Sequence, residues 1–172
     1  ELYYTPPRED AFKTKGDLLR YLSDNDVVTF QGEYVKSYGE LLVANFLYRH
    51  SIRYEYEKVY EHTTKTPEHR QYRPDFYLPD YKIYIEFWGI SRDGSTAPCV
   101  DRESYLKGME WKREIHKEHG TNLVDAYHYE RKEGKLSHNL KDRLERKGVE
   151  CIQISQRVLI ERLEKRQAGR RK

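Results

Sequence analysis

The stretch RPDFYLPDYKIYIEFW, residues 73–88, contains two short runs of alternating side chains joined by a turn. This pattern predicts a β-hairpin in which Leu78 pairs with Ile83. In that antiparallel register, Asp75 lies directly opposite Glu86 and both side chains are on one face. Directly opposed residues have Cβ atoms roughly 4.5–5.5 Å apart, and two like charges at that distance repel each other unless a cation or a shared proton relieves them. The hairpin therefore predicts a site for a divalent metal ion.

The same register divides the hairpin into two faces of different chemistry. One face is wholly apolar and can supply a core, with Phe76, Leu78, Ile83, Ile85 and Phe87. The other face carries Arg73, Asp75, Tyr77, Tyr84, Glu86 and Trp88. A strand pair that faces only solvent more often carries Lys, Thr and Ser than two acids among large aromatic and basic groups. A functional face is one interpretation, and an ordinary ion pair between Asp75 and Arg73 or another base is the alternative.

The composition is that of a folded chain with a very polar surface. A length of 172 residues indicates one domain with a sizeable core. The mean hydropathy is -1.03, but 37% hydrophobic and 13% aromatic residues are too many for a disordered chain. No apolar run approaches the roughly 20 residues that cross a bilayer, so no membrane partner is expected. Cys99 and Cys151 have no metal-ligand spacing, and the cytoplasm is the expected location.

The charge distribution indicates nucleic acid only weakly. The 32 basic and 29 acidic residues leave a net charge of +3. Residues 161–172 are more basic, with six Lys or Arg against two Glu, although such tails are usually just solvated. The first residue is Glu1 rather than methionine, so we expect a processed or excised fragment.

Helix and strand signals surround the hairpin. Residues 37–40, SYGE, match the S-x-x-E capping box and predict a helix that ends near His50. Further predicted elements are a strand over 52–59, a helix over 103–119, a strand over 122–127, a helix over 136–147, a strand over 149–154 and a helix over 155–167. The helix that crosses between the hairpin and the strand at 122–127 makes the sheet mixed. We expect an α/β fold with a mixed central sheet flanked by helices, followed by an additional C-terminal helix-strand-helix.

The segment GISRDGSTAPCVD, residues 89–101, predicts a long loop that begins next to Glu86. Loops of about a dozen residues are uncommon in compact domains and are often functional. A disordered surface loop is the competing explanation.

Three acids and a lysine are the groups typical of a site for metal-dependent phosphodiester hydrolysis. Carboxylates such as Glu40, Asp75 and Glu86 can hold one or two Mg²⁺ ions, which prefer oxygen ligands. The metal generates hydroxide from bound water, and a lysine can stabilise the charge that develops on the phosphate. Glu40 has a second interpretation, as the capping-box acid that bonds back to the Ser37 backbone amide.

These residues resemble a known nuclease superfamily. Pro74-Asp75, with Glu86 eleven positions later and Glu40 at the start of a preceding helix, resembles the PD-(D/E)XK pattern. The segments KSYGELLVANFL, YRPDFYLPDYKIYIEFWGI and YLKGMEWKREIHKEHGTNLVDAY are similar to the nuclease-like domain inserted in some UvrD/Rep-type superfamily 1 DNA helicases, the helicase IV-like group. The resemblance covers about residues 35–148 and is most specific in RPDFYLPD.

The resemblance implies both a fold and an activity. The expected fold is a restriction-endonuclease-like αβββαβ core, with residues 1–34 as a partly ordered lead-in, 35–154 as the nuclease-like domain and 155–172 as a C-terminal helix with a basic tail. The expected activity is DNA cleavage with Mg²⁺ or Mn²⁺ held by Asp75, Glu86 and Glu40. Helicase motor domains of the same parent chain are the implied partners. The chain itself has no G-x-x-x-x-G-K-[ST] phosphate loop, so it is not an ATP-driven helicase alone.

One position departs from the superfamily pattern. The lysine expected two residues after the second acid is replaced by Trp88. Within the superfamily this lysine sometimes comes from the following helix, where Lys112 is the first candidate and Lys107 the second. His116 lies one turn beyond Lys112 and is a candidate phosphate contact. The alternative is that all three are solvated helix residues.

Several basic and aromatic residues are candidates for nucleic-acid contacts. The set consists of Lys36, Arg70, Arg73, Tyr77, Trp88, Lys107, Arg113 and His116. If no lysine reaches the acids, the domain would be a catalytically inactive DNA-binding or coupling module of a helicase. A protein-interaction domain with structural acids is a third, weaker hypothesis.

Overall fold

The structure is a computed structural model that describes residues 12–25, 27–98 and 100–170. This part of the chain contains α1 (Lys15–Asp24), α2 (Tyr38–Arg49), β1 (Glu55–Tyr56), β2 (Phe76–Leu78), β3 (Ile83–Trp88), α3 (Arg102–Glu118), β4 (Asn122–Tyr127), α4 (His128–Lys132), α5 (Leu136–Arg146) and α6 (Gln156–Arg170). The run from α2 to β4 has the predicted order αβββαβ. Residues 1–11 of the predicted lead-in, Cys99 and the last two residues of the basic tail lie outside the described residues.

The four strands form one sheet in the order β1-β2-β3-β4. β1 pairs with β2 and β2 with β3 in antiparallel fashion, whereas β3 and β4 are parallel. The parallel pair requires a crossover, and α3 supplies it. The predictions of the α/β class and of a mixed sheet are therefore confirmed.

The hairpin has the predicted register. Leu78 pairs with Ile83, and the next steps of the ladder bring Asp75 beside Glu86. Asp75 Oδ2 accepts a hydrogen bond from the backbone N–H of Phe87 at 2.7 Å. A slip of one residue would turn every apolar side chain of the hairpin to the other face, so burial of that face specifies the register.

The sheet is the middle of three layers. One face packs against α2 and α5 in a core that includes Val43, Ala44, Leu47, Phe76, Leu78, Ile83, Ile85, Leu136, Leu140 and Leu144. The opposite face packs against α3 through a smaller cluster that includes Tyr60, Tyr72, Tyr84 and Ile115. The polar face of the hairpin is therefore directed toward α3. None of the helices in the described part of the chain is both long and apolar enough to cross a membrane.

The predicted strand at 149–154 is wrong. These residues are irregular. The Val149 N–H bonds to the Leu144 carbonyl at 3.0 Å and so completes the end of α5, and the Ile154 N–H bonds to the Arg49 carbonyl at 2.8 Å. Because these amides bond to helix ends, the apolar pattern of the segment reflects local burial and not strand pairing. The additional C-terminal unit consists of α5 and α6 joined by an irregular segment.

Two short elements also differ from the prediction. β1 covers only two residues of the predicted strand at 52–59, because Glu57 has a φ of 49°, a left-handed conformation that a strand does not contain. The sequence pattern did not predict α4, which begins directly after β4. Glu130 of α4 accepts a hydrogen bond from the Tyr127 N–H at 3.2 Å and forms a buried ion pair with Arg143 of α5.

Gly39 lies in the first turn of α2, where this helix approaches β3. A β-carbon at this position would overlap the ring of Phe87. A Gly→Ala change in a helix usually stabilises a protein by about 0.5–1 kcal/mol, but overpacking of this kind costs about 1–3 kcal/mol. We therefore expect Gly39→Ala to lower the free energy of unfolding, measured by urea denaturation.

Gly108→Ala in α3 is the matched control. Among the described residues, no atom outside the adjoining backbone of the helix lies within 4 Å of an added β-carbon there, so this variant should be more stable by about 0.5–1 kcal/mol. An equal gain in both variants would contradict the close packing of α2 on β3.

Candidate functional site

Glu86 is the most buried acid of the polar face, with 1% of its surface exposed. The Tyr72 hydroxyl donates to Oε1 at 2.7 Å, and Nζ of Lys112 donates to Oε2 at 2.6 Å. Burial raises the pKa of Glu86, while the Lys112 ammonium and the Tyr72 hydroxyl oppose that shift. The structure thus places Lys112 of α3 beside the second acid, where the sequence predicted a lysine from the following helix.

Asp75 is the half-buried neighbour of Glu86. Its pKa is raised well above the usual value by burial first, and then by the negative charges of Glu86 and Glu40. Lys112 and the Phe87 N–H act in the opposite direction without reversing the shift. Negative charge is therefore concentrated here beyond what one lysine compensates, and a bound cation would relieve it.

Glu40 lies at the beginning of α2 and is 7% exposed. Ser37 Oγ accepts from the Glu40 N–H at 3.1 Å, which is the first half of the predicted capping box. The Glu40 carboxylate bonds back to the Lys36 N–H at 3.0 Å and accepts from the Tyr56 hydroxyl at 2.5 Å. Glu40 therefore helps to cap α2, and it also contributes negative charge at Asp75.

The acids have the right chemistry for Mg²⁺ but do not form a closed cage. Within residues 12–25, 27–98 and 100–170, no three or more His, Cys, Asp or Glu side chains are grouped so as to hold a metal ion. Mg²⁺ typically needs only one or two protein carboxylates and keeps several waters. Each carboxylate oxygen has two acceptor positions, and the hydrogen bonds described above use one position on Asp75 Oδ2 and one on each Glu86 oxygen, which leaves positions for a cation. Ligation by Glu40 stays a prediction.

Trp88 is buried on the same side of the sheet. Its indole Nε1–H donates to Asp125 Oδ1 at 2.7 Å. Only 2% of Trp88 is exposed, so in this structure the ring is not available to stack on a DNA base. Sequence reasoning missed Asp125, which is paired with Glu86 across the parallel β3–β4 ladder. Aligning IYIEFW with NLVDAY places the two acids at equal positions and could have found it.

His116 is also buried, with 3% of its surface exposed. Its Nε2 lies 3.2 Å from the Tyr72 hydroxyl and its Nδ1 lies 2.7 Å from Thr121 Oγ1. Both ring nitrogens are therefore engaged inside the protein, and the predicted phosphate contact of His116 is not compatible with this placement. The residue instead supports Tyr72, which bonds to Glu86.

The remaining DNA-binding candidates lie on the surface, mostly in contact with other groups. Lys107 bonds to Glu103 at 2.7 Å, so this second candidate lysine does not reach the acids. Lys36 forms an ion pair with Glu57. Arg70 is exposed, and Arg73 donates to the Glu57 carbonyl. The Tyr77 ring lies under the Lys58 ammonium. Arg113 bonds to Asp125 and Tyr127.

A groove of about 1000 Å³ lies beside Glu40. The segment 89–101 supplies one wall, so the predicted long loop borders this groove. The lining includes the apolar or aromatic residues Phe12, Leu18, Phe87, Val100 and Tyr105 and the basic residues Lys13, Lys36 and Lys132. The pKa of Tyr105 is raised to about 12 by burial, with contributions from the charges of Asp75, Glu86 and Glu40. The groove therefore reaches Glu40, and Tyr105 in its lining is within the electrostatic influence of all three acids.

No family model matches this chain, and neither a curated protein nor a solved structure matches it. Its function is therefore inferred from the contacts described above.

Asp75→Asn should stabilise the protein. Because the folded state raises the pKa of Asp75, ionising this carboxyl costs stability as the pH rises from about 3.9 through the folded value. Removing the charge at neutral pH removes that cost, and about 1 kcal/mol corresponds to a rise of ~2–4 °C in Tm for a chain of this size. Differential scanning calorimetry at pH 7 measures the effect.

Asp93→Asn serves as the opposite control. The pKa of Asp93 is lowered by its hydrogen bonds to Ser95, so loss of this charge should not raise the Tm. If Asp75→Asn were also neutral or destabilising, Asp75 would not lie among uncompensated negative charge.

His116→Gln should flatten the acid side of the stability profile. Burial lowers the pKa of His116 to about 4, against about 6.5 in an unfolded chain. The wild-type protein therefore loses stability as the pH falls from about 6.5 toward 4, because only the unfolded state readily takes up the proton. Urea denaturation at pH 7 and pH 4.5 should show a loss that is smaller in the variant by up to about 3 kcal/mol.

The exposed His138 provides the comparison. His138→Gln should leave the pH dependence as in the wild type. Parallel profiles for wild type and His116→Gln would contradict the burial of a neutral imidazole.

Proposed function

We propose that this chain is a metal-dependent DNA nuclease domain of the PD-(D/E)XK type with a restriction-endonuclease-like core. The observation that carries the proposal is the contact between Lys112 and Glu86 next to Asp75. Two adjacent carboxylates can hold the metal, and a lysine ammonium can stabilise the developing charge, in metal-dependent hydrolysis of a phosphodiester. The αβββαβ order of the elements supports the same assignment.

Asp75 and Glu86 are the proposed ligands of Mg²⁺ or Mn²⁺, with Glu40 as a further acid. When bound, the metal would supply activated water and neutralise charge on the phosphate. The Lys112 pKa is raised, since the charges of Glu86 and Asp75 outweigh the effect of burial. Lys112 therefore remains an ammonium near neutral pH and serves as a donor to a phosphate oxygen, not as a general base.

The groove beside Glu40 is the proposed path of the DNA. Its lysines suit phosphates, and its apolar floor suits unpaired bases, because every base has a face that stacks on aromatic or apolar groups. In a duplex the base faces are already stacked on one another, so a duplex gains little binding energy from an apolar groove lining. We therefore expect a single strand or a frayed end to be preferred. The resemblance noted in the sequence supports a place beside superfamily 1 helicase motor domains in DNA repair or recombination.

Cleavage assays test the proposal. The protein is incubated with single-stranded, duplex and branched DNA in Mg²⁺, in Mn²⁺ and in EDTA. We expect metal-dependent cleavage that is strongest on single strands or frayed ends. Asp75→Asn, Glu86→Gln and Lys112→Met should each lower the rate by at least about 100-fold, the loss typical when a group that stabilises transition-state charge is removed.

Lys117→Met is the control variant. This exposed lysine lies on the same helix as Lys112 and forms a surface ion pair with Glu114 at 3.6 Å. Its cleavage rate should match the wild type. Metal-dependent cleavage that persists in Asp75→Asn would overturn the site assignment.

A catalytically inactive DNA-binding module is the second candidate function. Two observations favour it: Trp88 occupies the usual lysine position, and the described residues contain no closed metal cage. This candidate predicts DNA affinity that falls steeply with salt, as phosphate contacts require, and no metal-stimulated cleavage. Cleavage that is abolished by Glu86→Gln would exclude it.

A further inference from the structure

The Lys112 ammonium lies between two aromatic rings. Nζ is 5.4 Å from the centre of the Tyr72 ring and 5.3 Å from that of Trp88. Both distances are within the roughly 6 Å over which a ring face attracts a cation. A lysine side chain has four rotatable bonds and is otherwise poorly ordered. The two rings therefore confine the ammonium to the place where it bonds to Glu86.

Trp88 is held by its own hydrogen bond. Its Nε1–H donates to Asp125 Oδ1 at 2.7 Å, from the neighbouring strand β4. Asp125 Oδ2 in turn accepts from Arg113 Nη2 at 3.2 Å and from the Tyr127 hydroxyl at 3.0 Å. The guanidinium of Arg113 also lies 5.3 Å from the centre of the Trp88 ring. Asp125 is thus engaged through both carboxylate oxygens and sets the plane of the indole.

We propose that Trp88 and Asp125 are positioning residues for Lys112. The ring of Trp88 holds the ammonium against Glu86, and Asp125 fixes the orientation of that ring. The replacement of the expected lysine by Trp88 therefore does not mean that the catalytic lysine is lost. Trp88 instead positions Lys112 of α3, which takes the role of that lysine. The part of this inference that concerns catalysis rests on the proposed function, whereas the part that concerns geometry does not.

Two pairs of variants test the two contacts. Trp88→Leu removes the ring face and Trp88→Phe keeps one, while Asp125→Ala removes the acceptor and Asp125→Asn keeps one. We expect Trp88→Leu and Asp125→Ala to lower kcat for DNA cleavage about tenfold, the scale of a partly desolvated cation–ring contact. KM should stay within about twofold, because these residues do not lie in the groove, and the two conservative variants should keep most of kcat.

A spectroscopic readout tests the geometry without any cleavage. The ε-methylene protons of Lys112 should be shifted upfield in the NMR spectrum by the currents of the two rings. The shift should shrink in Trp88→Leu and in Asp125→Ala, and should largely persist in Trp88→Phe and Asp125→Asn. A wild-type protein that shows the shift but cuts no DNA would refute the proposed function and leave the positioning geometry intact.

Phe30→Leu is the control, because it removes a different cation–ring contact, in which the Arg49 guanidinium lies 5.3 Å from the centre of the Phe30 ring. It should change neither kcat nor the Lys112 shift. The inference is overturned if Trp88→Leu is folded and keeps either its kcat or the Lys112 shift. It is equally overturned if Trp88→Phe loses as much kcat as Trp88→Leu while its Tm matches that of the wild type. If Trp88→Leu and Asp125→Ala do not fold, the inference is tested by Trp88→Phe and Asp125→Asn. It is supported if these two variants retain kcat and the Lys112 shift, and overturned if they lose them.

Discussion

The ion pair between Glu86 and Lys112 is the interaction on which the site depends. It joins the central strand to the helix that covers it, and its Glu86 carboxylate is buried. Buried ion pairs rarely add net stability, because desolvation of both charges offsets their attraction, but loss of one partner leaves the other charge uncompensated. The pair therefore does more to keep the Glu86 charge compensated than to add net stability. Its partners come from regular elements, so the geometry does not rely on a flexible loop.

The acids around this pair oppose folding, and the rest of the domain compensates for them. Asp75 and Glu40 add negative charge that a single lysine does not balance. The opposite face of the sheet is a continuous apolar core against α2 and α5. One face of the hairpin therefore stabilises the fold, while the other face carries negative charges that repel one another. This is a common arrangement at sites that bind cations or charged substrates.

The sequence predicted those features that depend on local pattern. Alternation along the hairpin was enough to pair Leu78 with Ile83, whereas Lys112 became the first of two candidate lysines in the following helix only through the resemblance. Features that depend on the meeting of distant segments were missed: the contact of Trp88 with Asp125 requires the parallel register of β4. His116 was misjudged because helical spacing gives the face of a residue but not the depth of its burial. The strand expected at 149–154 failed because its amides bond to helix ends, which no periodicity reveals.

The hydrogen bonds around His116 have a fixed polarity. The single proton of the Tyr72 hydroxyl is donated to Glu86, so that oxygen can only accept from His116, which must carry its hydrogen on Nε2. Nδ1 is then the acceptor for Thr121, whose hydroxyl accepts in turn from Tyr60. Every donor in this row of four side chains points toward Glu86. The carboxylate is thus solvated by an oriented row of protein dipoles, which favours its charged form and so opposes the rise in pKa that burial causes.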